Sequence, residues 1–136
     1  MQVKHVDHLN LSVADLDASV DWYGRVFGFE PKERGVQEGK PWAILQSGEA
    51  LLCMYEHPER EALGDGELDA RRLHGISHFG LRIDDRARWE RTVDREGVDV
   101  RYGGVVEWPH SLAWYVLDPT GYEIEVALWD DDHVAF

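Results

Sequence analysis

Residues 8–15 read HLNLSVAD, and residues 78–85 read HFGLRIDD. Each stretch opens on a histidine, alternates three apolar residues with polar or small ones, and closes on an acid. Leu9, Leu11 and Val13 alternate in the first copy, Phe79, Leu81 and Ile83 in the second. A period of two marks a strand with one apolar face. The histidines fall on the opposite face, with Asn10 and Ser12 in one copy and Gly80 and Arg82 in the other. A phrase that returns 70 residues later in a chain of 136 is an internal repeat.

The flanking residues repeat as well. An acid able to cap a helix follows each strand: Asp15 in one copy, Asp84 or Asp85 in the other. Leu16, Val20, Tyr23 and Phe27 then recur at helical spacing, and Gly28 is placed to end the helix. In the second copy Trp89 and Val93 are four apart, and Gly97 stops the run. Strand-like runs come next: 29–34, 42–46 and 50–55 in the first half, 98–102, 112–117 and 122–128 in the second. Ser47-Gly48, Gly103-Gly104 and Asp118-Pro119-Thr120-Gly121 supply the turns.

Both halves therefore read strand–helix–strand–strand–strand. This predicts an α+β fold of two βαβββ modules in tandem, about 4–56 and 74–129. The polar, glycine-containing stretch 57–73 connects them, and a tail over 130–136 is expected to fray from Asp130 to His133. Neither half has much apolar surface of its own. The expectation is one domain over 1–136, in which the modules form a curved mixed sheet around a metal-binding cleft, related by pseudo-twofold symmetry.

Composition narrows the function. Hydrophobic residues make up 43% of the chain, enough for a core. The formal net charge is −13, which disfavours nucleic acid and anionic membrane surfaces as partners. The single cysteine, Cys53, can form no intrachain disulfide, and no apolar run reaches the length of a membrane span. The first residues, MQVKHVDHLN, lack the pattern of a signal peptide, so a cytoplasmic protein is expected.

The repeat has a chemical meaning. Two histidines on equivalent strands can approach one another across a cleft, and a metal site then needs a carboxylate. In DPTGYEIEV, 118–126, Tyr122, Ile124 and Val126 alternate with Glu123 and Glu125. Glu123 lies beside the turn and is expected to be solvated; Glu125 lies deeper and is the better ligand. Two histidines and one carboxylate are typical of non-haem Fe(II) oxygenases, and Zn, Mn, Ni or Co accept similar ligands.

These residues resemble the vicinal oxygen chelate superfamily of glyoxalases, bleomycin-resistance proteins, fosfomycin-resistance enzymes and extradiol dioxygenases. The resemblance covers about residues 4–129 and is carried by VDHLNLSVADLDASVDWYGRVFGFEP at 6–31, ISHFGLRIDD at 76–85 and YVLDPTGYEIEV at 115–126. It implies that His8, His78 and Glu125 bind a divalent metal, Fe or Mn being favoured and Zn, Ni or Co possible. It also implies a small-molecule substrate and a homodimer. Some members place a fourth ligand on the last strand of the first half. Repeat counting lands on Glu56 there, turn alignment on Cys53, and the reading favours no carboxylate at that position.

Tyr115, ten residues before Glu125, resembles the tyrosine of the extradiol dioxygenase signature. His110 stands near the place of a histidine that often precedes it, at shorter spacing. Either would manage protons during O2 insertion; Tyr115 could equally be a packed strand aromatic, and His110 a loop residue. The reading leans to ring-cleaving dioxygenase-like chemistry. The alternatives are a glyoxalase-type lyase or isomerase, or a metal-free protein that binds a cationic drug through acidic and aromatic side chains. A fosfomycin-type activity is disfavoured because 86–115 holds no lysine and cations look scarce near the site. His5, His57, His74 and His133 read as surface residues, and Cys53 as a small apolar one.

Overall fold

The α+β architecture is set by two successive chain segments with the same plan. A computed structural model describes residues 1–131, so Asp132 and His133 lie outside the described residues. The described chain divides into two compact units, the first over Met1–Glu61 and the second beginning at Ala62, inside the expected connector.

In the first unit β1 spans Leu9–Val13, α1 Leu16–Phe27, β2 Glu30–Gln37, β3 Lys40–Ser47 and β4 Ala50–Glu56. Asp15 opens α1: its carboxylate accepts the Ala18 N–H at 2.9 Å, satisfying one of the donors a helix start leaves free. Gly28 closes it in the left-handed conformation, φ 69°, which glycine adopts without strain. Leu16, Val20, Tyr23 and Val26 are buried from α1, whereas Phe27, expected on that stripe, is only half-buried. The sheet runs in the order β1-β4-β3-β2, with β1 parallel to β4 and the other pairs antiparallel. Leu11, Val13, Ala43, Leu45, Leu52 and Met54 are buried, and the residues between them are half-exposed or exposed. Each such core side chain is worth roughly 1.5–3 kcal/mol of burial.

The second unit holds α2 over Asp65–Arg71, β5 Phe79–Arg82, α3 Arg86–Glu96, β6 Val106–Trp108, β7 Ser111–Leu117 and β8 Glu123–Trp129. Its sheet order, β5-β8-β7-β6, repeats the first, with β5 parallel to β8. Asp85, rather than Asp84, caps α3 by accepting the Arg88 N–H at 2.9 Å, and Gly97 ends it at φ 62°. Trp89 is buried and meets the Trp114 ring edge-on.

Two expectations need correction. The connector contains a short helix, α2, which buries none of its side chains; Glu67 accepts the Gly64 N–H at its start, and polarity had hidden that capping. The expected strand over 98–102 is a single bridge from Val100 to Val116, and the paired strand forms later, at Val106–Trp108. Tyr102, Gly103 and Gly104 all have positive φ, so the chain turns away before it can pair.

Candidate functional site

The two histidines that open the repeat each stand one residue ahead of a strand, His8 before β1 and His78 before β5. His8 is tied down locally: Nδ1 lies 2.8 Å from the Asp7 carboxylate. A carboxylate only accepts, so Nδ1 carries the proton and Nε2 is the nitrogen left to offer a lone pair. A carboxylate behind a histidine in this manner orients imidazoles that ligate metals.

His78 uses its other nitrogen. Its Nε2 lies 3.0 Å from Glu125 Oε2, and the two side chains are 38% and 20% exposed. The register explains the meeting: β5 and β8 run parallel with Gly80 opposite Glu125, so His78 enters the sheet edge on the same face. The turn before β8 fixes where that face begins. Asp118, 5% exposed, accepts the backbone N–H groups of Thr120, Gly121 and Tyr122 at 2.8–2.9 Å.

Tyr115 lies directly opposite Glu125 on β7, and its ring meets the His78 ring edge-on at 5.6 Å. Burial raises its phenol above the ordinary range, the Glu125 charge adds to the rise, and a bond from Trp108 opposes it. His110 is elsewhere. It is exposed in the turn between β6 and β7, five residues from Tyr115, about 17 Å in extended chain.

Sequence reasoning missed a second cluster on this face. Glu123 is not solvated: its side chain is 13% exposed, and Oε2 accepts from Arg101 Nη1 and the Tyr102 hydroxyl, both at 2.8 Å. Arg101 also lies over the Tyr102 ring at 5.2 Å, and the Tyr102 ring meets Tyr115 at 5.3 Å. The bond to Glu123 raises the Tyr102 phenol. A cation is thus held on the carboxylate two residues before Glu125. The signal was present: Tyr102-Gly103-Gly104 is a turn, and a turn can fold a tyrosine back onto the sheet.

In the first unit, pairing settles the position that mirrors Glu125. Cys53 lies opposite Asn10, as Glu125 lies opposite Gly80. Burial, then the Asp7 charge, pushes the Cys53 thiol up, so it is held as a neutral thiol. Glu56 is on the other strand parity, and its carboxylate accepts the Leu16 N–H at 2.9 Å at the start of α1. His57 is a correction. It is not a surface residue: its side chain is 13% exposed, with Nδ1 2.9 Å from Lys40 Nζ and 3.1 Å from Glu59. The contact with His57 holds the exposed Glu59 carboxyl down at about 2.

The donor chemistry suits a divalent ion, since imidazole nitrogen and carboxylate oxygen are hard-to-borderline ligands. Among the described residues, however, no three His, Cys, Asp or Glu side chains gather into a metal-binding group. The second unit brings two such donors together, His78 and Glu125, at 3.0 Å.

The family model of the Glyoxalase/Bleomycin resistance protein/Dioxygenase superfamily matches residues 5–126. The chain belongs to this superfamily. A glyoxylase/bleomycin resistance protein/dioxygenase domain from Frankia sp. EAN1pec is 20% identical, with 97% of this chain and 96% of that one covered, at a TM-score of 0.78. Lactoylglutathione lyase from Agrobacterium tumefaciens is 24% identical over 94% of this chain and 96% of its own, TM-score 0.66. An antibiotic binding protein from Streptomyces sp. CB03234 is 19% identical over 95% and 98%, TM-score 0.68. At these identities the likeness is one of fold. Superfamily members commonly use divalent metals and bind small molecules, and they include both enzymes and binding proteins. Among the described residues no helix is long and apolar enough to cross a membrane.

Proposed function

We propose that the protein is a divalent-metal-dependent enzyme that chelates adjacent oxygens of a small substrate, with His8, His78 and Glu125 as the ligands. The observation that carries this reading is the 3.0 Å approach of His78 Nε2 to Glu125 Oε2 beside a half-buried tyrosine, Tyr115. The Asp7 carboxylate behind His8 supports the third ligand. A bound ion would supply Lewis acidity toward the charge that develops on the substrate oxygens.

Within the class, ring-cleaving dioxygenase-like chemistry on Fe or Mn is favoured over a glyoxalase-type lyase. A lyase of that type draws on a fourth carboxylate as proton shuttle, and the mirror position here is the neutral thiol of Cys53. Tyr115, directly opposite Glu125 and with its phenol raised by burial, is the residue this reading assigns to proton delivery. His110, in its exposed turn, has the weaker case for that role. A homodimer in the cytoplasm is the setting this reading assigns to it.

A metal-free drug-binding protein is the second reading. It is favoured by the fact that His78 Nε2 and Glu125 Oε2 satisfy one another directly at 3.0 Å. Turnover of catechols under O2 with added Fe(II) or Mn(II), abolished by chelator, is the expected result. Ligand binding that survives chelator, with no turnover of catechols or hemithioacetals, would establish the binding protein instead.

A further inference from the structure

Between Val100 and Val106 the second sheet carries residues with nothing opposite them. Val100 pairs with Val116 and Val106 with Ala113, so six positions on one side answer to three on the other. The excess folds out as a turn, in which the Gly104 N–H donates to the Arg101 carbonyl at 3.2 Å. Within it stands Tyr102 at φ 56°, a backbone conformation unusual for a bulky residue, while Gly103 and Gly104 beside it accept positive φ freely. A glycine at 102 would turn the chain without strain. What a glycine lacks is the side chain, and this one is engaged three ways. Its hydroxyl donates to Glu123 Oε2, its ring lies under the Arg101 guanidinium, and its edge meets Tyr115. Tyr102 is 63% exposed, so these contacts, rather than burial, hold it in place.

We propose that Tyr102 is a positioning residue: anchored on Glu123 and Arg101, its ring fixes the Tyr115 ring against His78 and so sets the geometry of the His78–Glu125 pair. The geometry is a chain of edge-on contacts, Tyr102 to Tyr115 at 5.3 Å and Tyr115 to His78 at 5.6 Å. With Tyr102 removed, Tyr115 loses one of the contacts that fix its ring against His78 and keeps its hydroxyl bonds with Trp108 and Glu125. The importance of this for chemistry rests on the proposed reading of His78 and Glu125 as the reactive pair; the contact itself does not.

The test compares Tyr102→Gly, whose backbone suits glycine and is expected to fold, with Tyr102→Phe, which keeps the ring. Tyr102→Asn, also tolerant of positive φ, stands in should the glycine variant not fold. In protein with isotope-labelled aromatic rings, the nuclear Overhauser contact between the Tyr115 and His78 rings is expected to be lost in Tyr102→Gly and restored in Tyr102→Phe. In a competent enzyme, kcat of Tyr102→Gly would fall about tenfold with KM little changed, and Tyr102→Phe would recover it. A Tyr115–His78 contact of wild-type strength in folded Tyr102→Gly and Tyr102→Asn would overturn the proposal. A lost contact in a protein that shows neither metal nor turnover would sustain the positioning and remove only the enzyme reading.

Discussion

The two modules share a strand order, a capped helix and a leading histidine, yet they use their carboxylates for different ends. In the first, Glu56 turns back to the Leu16 N–H, and the position facing Asn10 is a thiol. In the second, Glu125 faces His78, and Glu123 gathers Arg101 and Tyr102. The connecting turns differ in the same sense. Residues 48–49 join β3 to β4, whereas residues 118–122 join β7 to β8 around the Asp118 carboxylate. The last-strand carboxylate of one copy holds a helix start, while the other copy presents two donors and a phenol on one face. A repeat thus conserves scaffold positions while leaving face positions free to diverge in chemistry.

The comparison can be broken most severely at Glu125. Glu125→Ala is expected to lose at least about 100-fold in metal affinity while circular dichroism reports an intact fold, since a ligand should matter no less than its supporting shell. Full metal content in that variant would remove the distinction between the modules. Asp118→Ala comes next. It strips the acceptor from three backbone N–H groups at a nearly buried carboxylate, and about 3 kcal/mol of stability should be lost in denaturant titration. Replacing Glu49 in the corresponding short turn with alanine should cost within about 0.5 kcal/mol.

Where the modules agree, the effects should agree too. Asp15→Ala and Asp85→Ala each remove a helix cap and are expected to cost about 1 kcal/mol apiece. Tyr102→Phe sharpens the contrast through pH. The bond to Glu123 raises the phenol in the folded state, so its stabilisation is full below the ordinary tyrosine range near 10 and is lost as pH rises through the raised value. The stability gap between wild type and Tyr102→Phe should therefore be present at neutral pH and close in strong alkali. A gap that widened with pH would contradict the assignment. The smallest effect is expected at Cys53: Cys53→Ala should leave turnover within about twofold, because a neutral thiol offers neither a ligand nor a base.

Much of this was legible in the sequence because period and punctuation carry it. Leu9, Leu11 and Val13 alternate, Asp15 and Gly28 bracket a helix, and the same signs recur 70 residues on. The register of Glu125 was legible for the same reason, since alternation with Ile124 and Val126 fixes its face. The early turn over 101–104 was not. Val98–Tyr102 has strand composition, and only the backbone at Tyr102 reveals that pairing fails there. Glu123 was misjudged in consequence, because the partners that bury it come from that turn. Glu56 and Cys53 could not be separated by counting, as the halves differ in turn length; the pairing of Cys53 with Asn10 separates them.

The most direct test of the central claim is metal content per chain, measured by elemental analysis on protein purified without chelator or nickel resin, beside His78→Ala. Near-stoichiometric Fe or Mn in the wild type, absent from the variant, is the result expected of a site built on His8, His78 and Glu125. No metal in either protein, after reconstitution with each divalent ion in turn, would contradict it.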